Sequence, residues 1–267
     1  MPDFRVTKHP ILPIPIRQPV SIYWKGDLIQ AQTGDTIASA LFANGIRIFG
    51  HHHKDGAPLG IFCANGQCAQ CLVLANGRPV KACMEPVKPD LHLEPMDGLP
   101  ILPEINRESF ESNDIQELKV PVLILGGGPA GLSAAIELGK LGIPTLLIDD
   151  KNRLGGKLVL QTHRFFGSIN AVYAGTRGID IAARLQTEVN QYPLVTIWPQ
   201  STALAVFSDK KVGILRDGKE YVLVSPEVLL VATGAREKSL TFPGNSLPGV
   251  FGAGAFQTLL NRDLVKP

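Results

Sequence analysis

Four cysteines, all within residues 63–83, are the residues with the clearest capacity for chemistry. They are Cys63, Cys68, Cys71 and Cys83, and their spacing is C-x4-C-x2-C-x11-C. Three closely spaced thiolates with a more distant fourth are typical of plant-type 2Fe-2S ligation, whereas zinc ribbons use paired knuckles with short gaps. We therefore predict that these four thiolates bind a 2Fe-2S cluster, with zinc or unpaired structural thiols as the alternatives.

A second set of residues predicts a nucleotide site. The apolar run 120–125 predicts a buried strand, and a glycine fingerprint separates it from an apolar helical run over 132–141. The candidate ligand-binding residues of this turn are Gly126, Gly128, Pro129, Ala130 and Gly131. In such a unit the first glycine permits the turn, the second admits a pyrophosphate, and the third lets the helix pack on the strand.

An acidic residue follows at the expected distance. Asp149 stands at the end of the next predicted strand, 145–148, where a carboxylate accepts the adenosine ribose hydroxyl. Asp150 is the alternative ribose ligand. Strand, glycine turn, helix, strand and acid in this order indicate a dinucleotide-binding unit.

The elements around the cysteines predict a small mixed fold. Residues 20–24 and 28–31 read as a hairpin, and 36–43 as a short helix capped by Asp35 or Thr33. Further strands are predicted at 46–49, 71–75 and 80–83, with Asn76-Gly77 as a hairpin turn. We also expect Gly66 to adopt positive φ and thereby keep the cysteine loop thin.

This pattern resembles the β-grasp fold of ferredoxins. Gly60-Ile61-Phe62-Cys63, Cys71-Leu72-Val73 and Lys81-Ala82-Cys83-Met84 resemble the small 2Fe-2S domain of the sarcosine oxidase alpha, hydrogen cyanide synthase and opine or proline dehydrogenase flavoproteins. The resemblance covers about residues 17–90. It implies an oxidoreductase that pairs an iron-sulfur cluster with a flavin.

The second half resembles the two-dinucleotide-domain flavoproteins, such as the thioredoxin reductase group. The resemblance rests on the segment containing Gly155, Gly156, Lys157 and Gln161, and on the later Ala232-Thr233-Gly234-Ala235. It implies that FAD rather than NAD occupies the glycine turn, with Thr233 and Gly234 close to the cofactor. Catalytic residues are not assigned.

The predicted fold class is an α+β β-grasp ferredoxin-like domain followed by an α/β Rossmann-like FAD-binding domain that is incomplete at its C-terminus. The predicted boundaries are 1–90 for the 2Fe-2S domain, 91–117 for a linker with a strand at 92–95 and a short helix near 105–110, and 118–267 for the FAD domain. A nicotinamide-binding domain would normally follow in this family. NAD(P) is therefore possible as a cofactor of the assembled enzyme, but its domain is expected to be absent from this chain.

Charge excludes a nucleic-acid-binding function. Residues 1–117 carry 10 Lys or Arg and 13 Asp or Glu, and residues 118–267 carry 16 and 11, so net charges of −3 and +5 sum to +2. The apolar window 120–136 contains four glycines and two prolines, so we expect no transmembrane segment. With no secretion signal recognised, a cytoplasmic location is expected.

Three functions remain open from the sequence. The first is an electron-transferring subunit or fragment of an amine, amino acid or opine dehydrogenase, acting on a small molecule at a site supplied by a partner subunit. The second is an NAD(P)H-dependent reductase that passes electrons through FAD and 2Fe-2S to a protein acceptor. The third is a non-catalytic iron-sulfur scaffold module.

Overall fold

The chain folds as two compact units in the computed structural model, which describes residues 3–99, 101 and 115–267. The first unit comprises the described residues before 102 together with Arg236–Pro267, and the second comprises 115–235. The helix predicted near 105–110 lies outside the described residues. None of the described helices is long and apolar enough to cross a membrane.

The first unit is a mixed sheet with one short helix in its N-terminal part. Its strands are β1 (Pro19–Trp24), β2 (Asp27–Gln32), β3 (Gly50–His51), β4 (Pro58–Leu59), β5 (Leu72–Ala75), β6 (Arg78–Lys81) and β7 (Leu91–Asp97), and its helix is α1 (Ile37–Ala43). The sheet order is β2-β1-β7-β3-β4, while β5 pairs with both β7 and β6. The helix is buried along its whole length, so its side chains supply much of the core.

Turn residues explain both hairpins of this unit. Lys25 and Gly26 between β1 and β2 have φ of 55° and 85°, and Asn76 and Gly77 between β5 and β6 have φ of 48° and 77°. Two consecutive left-handed residues are the signature of the tight turn that matches strand twist. Both predicted hairpins are confirmed.

Two local predictions for this unit were wrong. Thr36 caps α1: its hydroxyl accepts the Ser39 N–H at 3.1 Å, and the Ser39 hydroxyl accepts the Thr36 N–H at 3.0 Å. The strand predicted at 46–49 is also absent, and pairing begins at Gly50. A Cβ at Gly50 would overlap the backbone of Met96, so the close approach of β3 and β7 requires glycine there.

Asp35, a predicted helix cap, instead holds the N-terminal segment. Its buried carboxylate accepts hydrogen bonds from Arg5 Nη2 at 2.8 Å, from Arg17 Nη1 at 3.0 Å and from the Gln32 N–H at 2.8 Å. Hydrogen bonds from arginine to a carboxylate are stronger than bonds between neutral groups. The segment before β1 is therefore tied to the sheet through charge.

The second unit is built on a six-stranded sheet in the order β10-β9-β8-β13-β12-β11. Its elements are β8 (Gln116–Leu125), α2 (Pro129–Lys140), β9 (Thr145–Ile148), a 3-10 turn (Gly156–Leu160), α3 (Ile169–Val172), α4 (Gly178–Val189), β10 (Val195–Trp198), β11 (Ser201–Val206), β12 (Val212–Arg216) and β13 (Glu220–Val231). The four strands from β10 to β13 in sheet order are parallel, and β13, β12 and β11 are antiparallel. The parallel part has the doubly wound form of a dinucleotide-binding fold.

The patterns at 220–224 and 227–231 predict two separate strands, but the structure has the single strand β13 there. It is continuous: residues 220–224 pair antiparallel with β12, and residues 222–231 pair parallel with β8. Pro226 sits inside it without breaking it. One strand therefore joins the antiparallel layer to the nucleotide-binding sheet.

The C-terminal segment packs with the first unit, although its sequence was assigned to the flavin domain. It contains α5 (Ala253–Gln257) and one π-helical turn (Thr258–Arg262). The Lys266 N–H donates to the Phe4 carbonyl at 2.7 Å, and the Phe251 ring meets Phe42 edge to face at 6.0 Å. Apolar side chains of this segment pack into the hydrophobic core of the first unit, and this burial explains its position.

Candidate functional site

The four predicted cysteine ligands lie together at one end of the first unit. Cys63 and Cys68 are half-buried, whereas Cys71 and Cys83 are buried. Cys71 directly precedes β5, and Cys83 lies in the turn after β6, so the β5–β6 hairpin brings the distant fourth thiol to the other three. The buried pair faces the core, and the half-buried pair lies nearer the surface.

The sulfur atoms contact each other as two joined pairs. Hydrogen bonds between side chains, not disulfides, link Cys63 to Cys68 and Cys71 to Cys83. A further hydrogen bond links Cys63 to Cys83. Within the described residues, no three His, Cys, Asp or Glu side chains surround a single metal ion. Two pairs of thiols sharing one contact fit a cluster in which each iron takes two cysteine sulfurs.

Hydrogen bonds already favour the thiolate form at two of these positions. Bonds from the Cys68 and Cys83 thiols hold the pKa of Cys63 below its ordinary value, with further donors in the backbone N–H groups of Asn65 and Cys68. A bond from Cys83 likewise lowers the pKa of Cys71. The same hydrogen bonds raise the pKa of Cys68 and of Cys83, so these two donor thiols keep their protons until iron displaces them.

The loop that carries Cys63 and Cys68 is held open around the sulfurs. Gly66 has φ of 83°, as predicted, and its carbonyl accepts the Lys81 ammonium at 2.8 Å. Between Cys68 and Cys71, the Gln70 Oε1 atom is buried with no hydrogen-bond partner. An amide oxygen accepts hydrogen bonds, as the sulfurs of a cluster do, so the fit to a 2Fe-2S cluster rests on the four gathered thiols and not on this atom.

The Lys81 bond was not predicted. It joins residues 15 positions apart, and no local pattern signals such a pairing.

The glycine turn of the second unit has the predicted geometry. Gly126 has φ of 110°, and a Cβ there would overlap the Ala232 carbonyl oxygen. A Cβ at Gly131 would overlap the carbonyl oxygen of Gly126, so α2 can approach the strand only with glycine at this position. Both close contacts require glycine, as the fingerprint implies.

Gly128 faces open space at the start of α2. It is the N-cap of the helix and has no side-chain hydrogen bond, and Pro129 and Ala130 begin the first turn. A Cβ at Gly128 would meet only the Gly156 Cα, at 3.9 Å. Free N–H groups at a helix N-terminus with room beside them form a cradle for an anion, which fits the pyrophosphate of FAD.

Asp149 is buried beneath this cradle. Its Oδ2 atom accepts the Gly127 N–H at 2.7 Å, and its Oδ1 atom accepts the Lys151 N–H at 2.8 Å. Burial raises the pKa of Asp149, and the two backbone N–H groups oppose that rise. The carboxylate fixes the glycine turn to the end of β9, a role that the sequence did not reveal. Asp150 is exposed and pairs with the Lys151 ammonium at 2.6 Å.

Gly155 and Gly156 lie across from Gly128 and form the other side of the glycine cradle. Their φ values are 107° and 53°, and the Gly155 N–H donates to the Gly127 carbonyl at 2.8 Å. A Cβ at Gly156 would come within 2.9 Å of the Gly128 Cα. The two glycine segments therefore pack against each other through their backbones.

The remaining predicted residues are less closely gathered. Lys157 is exposed on the 3-10 turn, and Gln161 is half-buried against Gly178. Thr233 and Gly234 are exposed just beyond β13, and a Cβ at Gly126 would lie 3.2 Å from the Thr233 Cα. The structure thus brings Thr233 to the glycine turn through backbone proximity.

Comparisons with known proteins identify both domains. Residues 17–97 match the model of the 2Fe-2S iron-sulfur cluster binding domain, and residues 120–261 match that of the pyridine nucleotide-disulphide oxidoreductases. The chain is similar to sarcosine oxidase subunit alpha of Corynebacterium sp. (strain P-1), with 30% identity over 88% of this chain and 26% of the relative. It is also similar to hydrogen cyanide synthase subunit HcnB of Pseudomonas protegens, with 35% identity over 54% of this chain and 31% of the relative.

A solved structure shares the fold across the whole chain. L-proline dehydrogenase from P. horikoshii superposes with a TM-score of 0.79 and 25% identity, over 100% of this chain and 50% of that one. The chain thus spans between a quarter and a third of these curated relatives and half of the solved chain. Its cofactors are FAD and a 2Fe-2S cluster. The chain belongs to the pyridine nucleotide-disulphide oxidoreductase family, and it carries a 2Fe-2S iron-sulfur cluster binding domain ahead of the family's dinucleotide-binding fold.

Proposed function

We propose that this chain is the electron-carrying part of an oxidoreductase that oxidises an amine or amino acid-type substrate and delivers electrons to a one-electron acceptor. The observation that carries the proposal is the presence of two cofactor sites on one chain, four gathered thiols and an open glycine cradle. When bound, FAD supplies two-electron chemistry with the substrate and the cluster supplies one-electron transfer. The protein's own task is to hold both groups and to set their surroundings.

The roles of the FAD-binding residues follow from their positions. Gly126 and Gly131 shape the turn, while Gly128, Pro129 and Ala130 present the helix N-terminus to the pyrophosphate. Gly155 and Gly156 admit the ribityl and phosphate region, with Lys157 offering positive charge and Gln161 a hydrogen bond. Thr233 and Gly234 complete the wall at the end of β13. The proposed cluster ligands are Cys63, Cys68, Cys71 and Cys83.

Asp149 and Asp150 can be separated by experiment. Asp149→Asn replaces one buried acceptor by a donor that faces a backbone N–H, so we expect unfolding to become easier by about 1–3 kcal/mol. Asp150→Asn changes an exposed side chain and is expected to leave stability unchanged. Chemical denaturation of the apoprotein measures both effects.

FAD titration of the same two variants identifies the ribose ligand. If Asp149 holds the ribose as well as the turn, Asp149→Asn weakens FAD binding and Asp150→Asn does not. Weakened binding in Asp150→Asn at unchanged stability would assign the ribose to Asp150 instead.

The names of relatives support the substrate class. Two of the similar proteins are named for sarcosine and L-proline, both secondary amino acids. The two curated relatives are also named as subunits of their enzymes. We therefore place the substrate site on a partner subunit.

Anaerobic reduction of the purified protein, with the subunits that copurify, tests the proposal. Sarcosine and L-proline are expected to bleach the flavin band and the cluster band, and NADH is expected to bleach neither. Bleaching by NADH alone would contradict the proposal and establish a nicotinamide-dependent reductase. A preparation that carries no flavin would contradict both enzymatic functions and favour the scaffold module.

A further inference from the structure

The C-terminal segment places its side chains in the core that surrounds the cysteines. Ala255, Leu259 and Val265 belong to the same buried cluster as Cys71 and Cys83. The segment is anchored on its other side, where the Val6 N–H donates to the Leu264 carbonyl at 2.8 Å. This packing is a property of the first unit and fixes residues 258–265 close to the thiols.

This segment carries an ion pair that stabilisation alone does not explain. Arg262 Nε donates to Asp263 Oδ1 at 2.6 Å, and Arg262 Nη2 donates to Asp263 Oδ2 at 3.0 Å. The side chains are only 22% and 6% exposed. Burying such a pair costs desolvation that the attraction barely offsets, so a pair kept inside the protein is a candidate for another role.

Arg262 lies between Leu259 and Val265, two side chains of the buried cluster that also contains Cys71 and Cys83. Burial alone would lower the pKa of Arg262, but the Asp263 carboxylate outweighs it, and Cys83 and Cys63 add to the rise. The charges of Asp35 and Arg17 also act on Asp263, the first raising its pKa and the second lowering it.

We infer that Arg262 is a positioning residue whose positive charge raises the reduction potential of the 2Fe-2S cluster. The negative charge of Asp263 acts in the opposite direction. This inference rests on the proposed cysteine ligand set. A cluster held by four thiolates is negatively charged, and it gains one further negative charge when it accepts one electron. A fixed positive charge in a low-dielectric surrounding stabilises the reduced form more than the oxidised form, and a fixed negative charge does the opposite.

The test is a redox titration of the full chain with dithionite as electron donor, followed by the electron paramagnetic resonance signal of the reduced cluster. Arg262→Gln removes the positive charge and is expected to shift the midpoint to more negative potential. Asp263→Asn removes the negative charge and is expected to shift the midpoint to more positive potential. Arg262→Lys keeps the charge and is expected to stay near the wild type.

The opposite signs of the two expected shifts in midpoint potential separate an electrostatic effect on the cluster from structural damage. Both neutral variants break the same ion pair, so structural damage would affect them in the same way. Midpoints that stay at the wild-type value, or that move in the same direction, would overturn the inference. If Arg262→Gln fails to retain the cluster, the sign of the Asp263→Asn shift decides. A wild-type chain that binds no cluster would instead overturn the cysteine ligand set, and this inference with it.

Discussion

Replacing Cys68 by serine is expected to abolish the visible absorption of the iron-sulfur cluster and to leave FAD bound. A serine hydroxyl is a much poorer iron ligand than a thiolate, and Cys68 is one of the two members of the half-buried thiol pair. The proposed FAD-binding residues belong to the second unit, whose core contains no cysteine. Absorption spectra and iron content of the purified variant measure the first effect, and released flavin measures the second.

Gln67→Ser is the matched control for this substitution. Gln67 is exposed on the same loop, and only its backbone N–H is seen to bond, to Asn65 Oδ1 at 3.3 Å. This variant introduces the same side chain one residue away and should keep the full cluster signal. Retention of the cluster in Cys68→Ser would show that the ligand assignment is wrong.

The second large effect is expected at Gly128. Gly128→Ala adds one methyl group that the fold accommodates, because its nearest neighbour would be the Gly156 Cα at 3.9 Å. The methyl group would stand where the pyrophosphate must approach the backbone, so we expect FAD affinity to fall by about tenfold or more, or at least about 1.4 kcal/mol. The free energy of unfolding of the apoprotein should fall by no more than about 1 kcal/mol, because alanine is a poorer N-cap than glycine.

Gly131→Ala provides the contrast, because its methyl group would overlap the Gly126 carbonyl oxygen. Here the backbone must shift, at a cost of about 1–3 kcal/mol, so loss of FAD should accompany loss of apoprotein stability. Flavin fluorescence titration and thermal melts of the two apoproteins distinguish the cases. Unchanged FAD affinity in Gly128→Ala would show that the cofactor does not approach the backbone at this position.

Local chemistry accounts for what could be predicted from the sequence. The Lys25-Gly26 and Asn76-Gly77 turns need only two residues in the left-handed region, and the sequence shows such residues directly. The strand, glycine turn and helix from 116 to 140 are likewise encoded by a contiguous pattern. These are the parts where neighbouring residues decide the conformation.

Long-range packing accounts for what could not be predicted. Whether 220–231 forms one strand or two depends on β8, whose pairing with β13 bridges the irregular point at Pro226. Asp35 resembles a helix cap in the sequence, but two arginines from the N-terminal segment donate hydrogen bonds to its carboxylate. The position of residues 236–267 depends on a core that lies far earlier in the chain.

The closure of the first unit by the C-terminal segment has a consequence for how the protein is made. His9 bonds to Asn261 at 3.2 Å, across a separation of 252 positions. During synthesis, the N-terminal segment must therefore wait for the ribosome to finish the whole nucleotide-binding sheet before it finds this partner. Forming contacts at such separation is slow, because the loop entropy must be lost first. The cysteine loop is therefore translated early, whereas the core around Cys71 and Cys83 is completed only when Leu259 and Val265 join it.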